Sequence, residues 1–335
     1  MPMHVCNAHV DRAGWLEQRR TGIGSSDAPS VLGIEGAYGS PLSVAAAKLG
    51  LEAQPGEDTE SELMRWGNYA EAPMIEAFLD EAGKGWAAAR SGDMYRSSDP
   101  DAAFMLATLD GRVEKPDGAV GGIECKLKIF GSDEWEGHGV PEAVVCQVQH
   151  TMAVMDWDFV IVIALLDGYR LRWREVPRNL ELIGDVIVPA ERAFWDALQS
   201  GRAIDASIGN PDATARALAR LYPEDDGTTV ALGEEYVSHH EQWLLAKEEE
   251  ARWKRLKEQH RHALAEAIGS ATFGSLPDGT VLSLKTTKRA GYSVGPATWN
   301  AGSRGQASEH SCRAAMSSKT SRGIGLIGSS DTGSR

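Results

Sequence analysis

The sequence predicts an α/β (α+β) fold, a central mixed β-sheet flanked by helices, and three observations carry that prediction. "DFVIVIALL", residues 158–166, is apolar throughout after Asp158, the composition of a strand buried on both faces. The extended pieces around it are joined by "KPDG" and "DG" turns, so they pair as hairpins. Two stretches with apolar residues every three or four positions, 61–83 and 141–155, alternate with them. The order helix, three strands, helix, two strands, helix suits one mixed sheet with helices on its faces.

Taken in order, residues 11–20, "DRAGWLEQRR", read as a short helix ending in basic residues. "TGIGSSDAPSVLGI" follows as a Gly/Ser loop opening onto another helix, either an anion cradle or only a turn. "PLSVAAAKLG" has Pro at a first turn and Gly beyond its end, a helix over 41–50, and "EAQPGEDTE" is a polar linker. The helix over 61–83 sets Leu63, Trp66, Ala70, Met74 and Phe78 on one stripe, with a kink or break expected at Pro73. "DMYRSS", "AFMLATLDGRVEK" and "AVGGIECKLKIF" are extended, the last two an antiparallel hairpin. A helix starts at Pro141, the apolar strand and "YRLRWREV" form a second hairpin, and a helix over 179–198 closes the segment.

These elements define a first domain, 1–208, followed by a linker, 209–232. Residues 233–296 are then a charged helical arm with a narrow apolar stripe and a small hairpin, and 297–335 have the composition of a disordered or non-native tail. His239, His240, His260 and His262 sit on the arm among many charges, which makes them a solvated face rather than a metal site.

The 335 residues carry a net charge of −14, which excludes non-specific coating of nucleic acid but leaves room for an enzyme with a local basic groove. The four cysteines, Cys6, Cys125, Cys146 and Cys312, form no CxxC pair and read as reduced thiols, and His4, Cys6 and His9 are not taken as a metal site. No apolar run reaches membrane-span length and the start has no secretory apolar region, so no membrane partner and a cytoplasmic location are expected.

The chemistry centres on "IECKLKIF". Strand side chains alternate, so Glu124 and Lys126 share a face. Alone, this is equally well a cross-face ion pair on a half-solvated sheet. Asp110, at the end of the neighbouring strand, can converge with Glu124 on one spot. Two carboxylates there repel unless a hard cation such as Mg²⁺ joins them, with the backbone carbonyl of Cys125 as a third ligand. Lys126 would then orient or deprotonate a water, or stabilise charge on a phosphoryl group.

"LATLDGRVEKPDGAVGGIECK" resembles the D…(D/E)xK signature of the PD-(D/E)xK nuclease superfamily. "RRTGIGSSDAPSVLG", "WGNYAEAPMIEAF", "LDGRV…IECK" and "QVQHTMAVMDWD", in this order, resemble the YqaJ-like phage recombinases, relatives of the phage lambda 5′→3′ exonuclease. The resemblance implies a restriction-endonuclease-like core, Asp110 and Glu124 as metal ligands and Lys126 as the catalytic lysine. It adds Glu71 as an acidic residue supporting the metal and Gln147 as the active-site glutamine, with Gln149 the less favoured choice. It also implies an arginine and a serine that hold a 5′-phosphate, best matched by Arg20 and Ser26, with Arg19 and Ser25 as competitors. Asp27 reads as a helix N-cap rather than a ligand.

The implied activity is a Mg²⁺-dependent (Mn²⁺ is possible) 5′→3′ exonuclease acting on double-stranded DNA ends. It would leave a 3′ single strand for a phage single-strand annealing protein, in a bacterial cytoplasm, in some members as a ring trimer. Two alternatives stand beside it: a structure-specific endonuclease on the same fold, and a catalytically idle DNA-binding protein. Iron–sulfur relatives are disfavoured, because four clustered cysteines are missing.

Overall fold

The computed structural model describes residues 1–51, 62–129, 133–135, 139–288 and 320–327. It divides into two compact units, 1–227 and 228–335.

In chain order the first unit begins with β1 (Met3–Asn7), α1 (Arg12–Arg20), the short β2 (Ile23–Gly24) and α2 (Ala28–Val31), then α3 (Pro41–Lys48) and α4 (Glu62–Ala82). Next come β3 (Ala87–Arg90), β4 (Asp93–Arg96), β5 (Met105–Thr108), β6 (Gly111–Glu114) and β7 (Val120–Lys128). After them follow α5 (Glu142–Met155), β8 (Phe159–Leu166), β9 (Arg170–Pro177), α6 (Val188–Gln199) and α7 (Pro211–Leu221). The fold is α/β, with mixed sheets flanked by helices. Among the described residues no helix is long and apolar enough to cross a membrane.

Two sheets stand where one was expected. The larger has the order β3-β6-β7-β8-β9, antiparallel except for the parallel β7–β8 pair that α5 connects. The second has the order β1-β4-β5-β2. "AFMLATLDGRVEK", read as one strand, is cut in two, because β5 pairs with β4 and β6 pairs with β3. The chain crosses between sheets at Leu109 and Asp110. Gly111 permits the crossing, since a Cβ there would lie 2.9 Å from the Ala89 carbonyl.

Alternation along β8 sorts the core. Val160, Val162, Ala164 and Leu166 meet Val144, Val148 and Met152 of α5. Phe159, Ile161 and Ile163 meet Met74, Ile75 and Phe78 of α4 on the other face. Full burial of a side chain such as Phe78 stabilises the fold by about 1.5–3 kcal/mol.

Several expectations need correcting. α4 runs through Pro73 as one helix: Pro73 is exposed, and the carbonyl it leaves without an amide partner belongs to Tyr69, which is also exposed. Trp66 is 60% exposed, so the buried stripe is Glu71, Met74, Ile75 and Phe78. The Leu63 side chain and the polar linker 52–60 lie outside the described residues. The helix expected from 179 begins with a π-helical turn, Leu182–Ile187, ahead of α6. The stretch 209–232, expected as a linker, contains α7, which buries Ala213 and Ala217 and packs on α3. Residues near His4 and Cys6 form β1, paired with β4.

The second unit holds α8 (Glu235–Ile268) and a three-stranded antiparallel sheet, β10 (Phe273–Ser275), β11 (Val281–Lys288) and β12 (Thr320–Ile327). β12 lies within the stretch 297–335 expected as a disordered or non-native tail. Its eight residues pair in register with all of β11, so this part of the tail is ordered strand. The remainder, 297–319 with Cys312 and 328–335, lies outside the described residues.

Candidate active site

β7 is longer than its neighbour β6, whose ladder ends at the Gly111–Ile123 pair. Glu124 to Lys128 therefore continue beside β8 alone, with the other edge of the strand open. Asp110, just before β6, turns into that opening and its Oδ2 accepts the Cys125 N–H at 2.8 Å. A strand residue sends its N–H and C=O to the same edge, so the Cys125 carbonyl also points toward Asp110.

Glu124 and Lys126 project onto the α5 side of the sheet, as the period of two requires. Lys126 Nζ lies 2.7 Å from Glu124 Oε1. Gln147 on α5 closes a triangle: its Nε2 donates to Glu124 Oε1 at 2.7 Å, and its Oε1 accepts from Lys126 Nζ at 2.8 Å. That amide is oriented by chemistry, nitrogen to carboxylate and oxygen to ammonium. Gln149 points elsewhere. Its side chain is 2% exposed, donates to the Pro177 carbonyl and accepts from the Asn179 N–H, and removing it would cost about 1–3 kcal/mol of folding free energy.

Glu71 enters from α4 and is held by Arg90 Nε at 2.7 Å. Arg90 was missed by sequence reasoning, because a lone arginine in "AAARSGD" carries no pattern.

Electrostatics tie the carboxylates together. Burial, then Glu124 and Glu71, push the Asp110 carboxyl well above the usual range, against the Cys125 N–H and Lys126. Burial also raises Glu71, Arg90 opposes it, and Glu124 adds to the rise. Burial works against the Lys126 ammonium, but Glu124 and Asp110 outweigh it and raise its proton affinity. Burial, then Asp110, Glu124 and Glu71, hold the Cys125 thiol well above the usual thiol range, against Lys126.

A divalent cation suits this donor set: buried carboxylates that destabilise one another, next to a carbonyl on an open strand edge. Among the described residues no three His, Cys, Asp or Glu side chains are already gathered as a coordination shell. The carboxylates are instead bound to Arg90, the Cys125 N–H, and Lys126 with Gln147.

The N-terminal loop lies beside α5, where Ala28 of α2 packs with Cys146 and Ile187. Ser25 is buried and Ser26 exposed. Arg19 is the arginine that reaches Ser26, its Nη2 donating to Ser26 Oγ at 3.2 Å and to Asp27 Oδ1 at 3.1 Å. Arg20, the next residue of α1, is half-buried. Asp27 occupies the N-cap position of α2, but its side chain caps no helical N–H. Instead it accepts from the Gly24 N–H and from Lys48 Nζ, at 3.0 and 2.6 Å. Burial pushes the Asp27 carboxyl up, yet Lys48 and Arg19 prevail and hold it well below the usual range. Lys48 was also missed, although its place on the Val44/Ala45 side of α3 is a readable signal of a buried lysine.

One turn beyond Gln147, the fully buried His150 joins α5 to α6 and β5. Its Nδ1 lies 2.7 Å from Glu191 Oε1 and its Nε2 lies 2.9 Å from the Leu106 carbonyl. Both ring nitrogens face acceptors, so the pair must hold a proton between Nδ1 and Oε1. Burial lowers the His150 proton affinity, but Glu191, the Leu106 carbonyl and Asp27 raise it above the ordinary value. The stability contributed by the His150 shift is therefore full below about pH 6.5 and lost as pH climbs through its folded-state value, while Glu191, raised by burial against the pull of His150, begins to lose its own contribution above the ordinary carboxylate range. Melting curves across neutral and alkaline pH should show that decline, and Glu191→Gln should flatten it. An unchanged slope in the variant would disprove the assignment.

Residues 14–158 match the family model of the YqaJ-like viral recombinase domain. The chain is 29% identical over 270 residues to the uncharacterized protein YqaJ of Bacillus subtilis (strain 168), covering 78% of this chain and 81% of that one. Among solved structures it is similar to an alkaline exonuclease, LHK-Exo, from Laribacter hongkongensis, with TM-score 0.42 and 16% identity over 62% of this chain and 98% of that one. It is also similar to a phage related exonuclease from Haemophilus somnus 129PT, with TM-score 0.39 and 17% identity over 56% and 99%.

Proposed function

Since residues 14–158 match the family model of the YqaJ-like viral recombinase domain, we propose that this chain is a metal-dependent deoxyribonuclease, a 5′→3′ exonuclease on linear duplex DNA. One observation carries the reading: Asp110, Glu124, Lys126 and Gln147 meet at the open edge of β7, with Glu71 alongside. Asp110, Glu124 and the Cys125 carbonyl would hold Mg²⁺ or Mn²⁺, with Glu71 supporting them. The cation would supply charge neutralisation and Lewis acidity at the scissile phosphate.

The chain's own groups do the rest. Lys126, with its raised proton affinity, acts as an ammonium that stabilises negative charge developing on the phosphoryl group. Gln147 fixes Glu124 and Lys126 relative to each other. Arg20 and the exposed Ser26 hydroxyl bind a terminal 5′-phosphate, while Arg19, committed to Asp27, holds the Ser26 loop. The reading extends to a 3′ single-stranded product for a phage annealing protein, to a ring trimer, and to the cytoplasm of a bacterial host.

The test is nucleotide release from end-labelled linear duplex and nicking of a closed circle, each with Mg²⁺ or EDTA. Metal-dependent loss from the 5′-phosphorylated strand, with the circle untouched, is the expected result. Cutting of the circle would move the assignment to an endonuclease. Folded protein that binds ends and leaves them intact in Mg²⁺ would make it a DNA-binding protein. Arg20→Ala should slow digestion of 5′-phosphate ends far more than of 5′-hydroxyl ends. Equal slowing of both would remove Arg20 from the phosphate site.

A further inference from the structure

The loop between α1 and α2 rests on three charged side chains that water scarcely reaches. Lys48, Arg19 and Asp27 are 2%, 9% and 13% exposed along their side chains. Two are cations and one is an anion, so the network carries one positive charge in excess. The nearby His150–Glu191 pair, which holds its proton internally, adds no net charge. Charge buried in surplus costs folding free energy and draws a counter-ion. Burial lowers the proton affinity of Lys48, Asp27 opposes that fall and Arg19 adds to it. An apolar side chain would sit at this place on α3 at less cost.

What the ammonium does there follows from its acceptors, one at each end of the loop. Lys48 Nζ donates to the Arg19 carbonyl at 2.7 Å and to Asp27 Oδ2 at 2.6 Å. The first acceptor lies in the last turn of α1, and the amide four residues on, that of Ile23, donates to the Phe104 carbonyl instead. The second is shared. Oδ2 is taken by Lys48 and the Gly24 N–H, so Arg19 Nη2 meets Oδ1, and the same Nη2 donates to Ser26 Oγ at 3.2 Å. The Arg19 guanidinium carbon also lies over the Trp15 ring, 4.9 Å from its centroid, which fixes another side of the group. Without Lys48, Asp27 would face Arg19 alone and the pair would be neutral. Arg19 would then turn its fork fully onto the carboxylate, and Ser26 would lose its donor.

We propose that Lys48 is a positioning residue for the 5′-phosphate: by taking a share of Asp27 it keeps Arg19 on Ser26 and leaves the buried base of the loop positive, so that a phosphate completes its charge. The inference rests on the reading of Arg20 and Ser26 as the phosphate site.

Its test is binding of 5′-phosphorylated and 5′-hydroxyl duplexes, followed by fluorescence anisotropy in EDTA, which separates binding from cleavage. Wild type should bind the phosphorylated duplex about tenfold more tightly. Lys48→Met should bring the two affinities close to equal, chiefly by weakening the first. Lys48→Met/Asp27→Asn leaves Arg19 charged with no carboxylate to neutralise it, and should regain most of the preference. A lysine that only filled space would not be rescued by a second buried substitution. Circular dichroism and melting curves establish that each variant is folded. If Lys48→Met alone does not fold, the double variant decides: preference kept with both charges gone supports the proposal, and preference lost overturns it. A folded Lys48→Met with the wild-type preference would also overturn it, as would a double variant no better than the single. Wild type that binds both ends equally would remove the phosphate site itself, and the role of Lys48 with it.

Discussion

Replacing Lys126 by alanine is expected to cut the rate of nucleotide release by ~10² or more while leaving the fold and cation binding in place. The ammonium has two acceptors, Glu124 Oε1 and Gln147 Oε1, and lies at the open edge of β7 where a phosphate would approach. Its side chain is 21% exposed, so truncation removes a charge next to solvent. The positive charge is what the developing phosphoryl charge needs, and the carboxylates that raise its proton affinity keep it in that form. Single-turnover rates on 5′-phosphorylated duplex, with calorimetric titration of Mg²⁺, separate the two parts of the expectation. A loss below tenfold would remove Lys126 from the chemistry. Loss of cation binding together with rate would make it a structural support of Glu124.

Asp110→Asn should abolish activity and at the same time raise Tm in chelator. The two effects share a cause. Burial and the nearby Glu124 and Glu71 oppose ionisation of Asp110, so the ionised folded state carries a penalty that asparagine lacks. The sign follows from linkage: a carboxyl raised in the folded state contributes stability below the ordinary carboxylate range, which is lost as pH rises through its folded value. Asparagine keeps an oxygen for the Cys125 N–H, so the hydrogen bond survives. Each kcal/mol of relieved repulsion should appear as about 2–4 °C in Tm for a domain of this size. In wild type, added Mg²⁺ should recover the same stability, and in the variant it should do little. A lower Tm for the variant in chelator would show that attraction, not repulsion, dominates around Asp110.

Legibility in the sequence varied from element to element, for physical reasons. β8 was readable because a strand buried on both faces has no polar alternation to disguise it. The cut at Leu109–Asp110 was not, since both pieces have strand composition and only their choice of partners, β4 or β3, separates them. The expected α4 stripe holds at Ala70, Met74 and Phe78 and fails at Trp66: apolar spacing continues back through Trp66, but the core begins to cover the helix only near Ala70 and Glu71. β12 was invisible in a Gly- and Ser-rich stretch, because its ordering comes from pairing with β11 rather than from its own propensity.

By itself the sequence determined the alternation that puts Glu124 and Lys126 on one face, the helix that carries Gln147, and the order of the motifs. All of these follow from backbone periods that act within a few residues. Only the tertiary structure decided that Asp110 reaches Cys125 across a gap left by a short β6. It alone brought Glu71 and Gln147 to that gap from helices on opposite faces, and set Arg19 on Ser26. Those meetings depend on ladder register and on which faces are buried together. They are properties of residues far apart in the chain, and no local period encodes them.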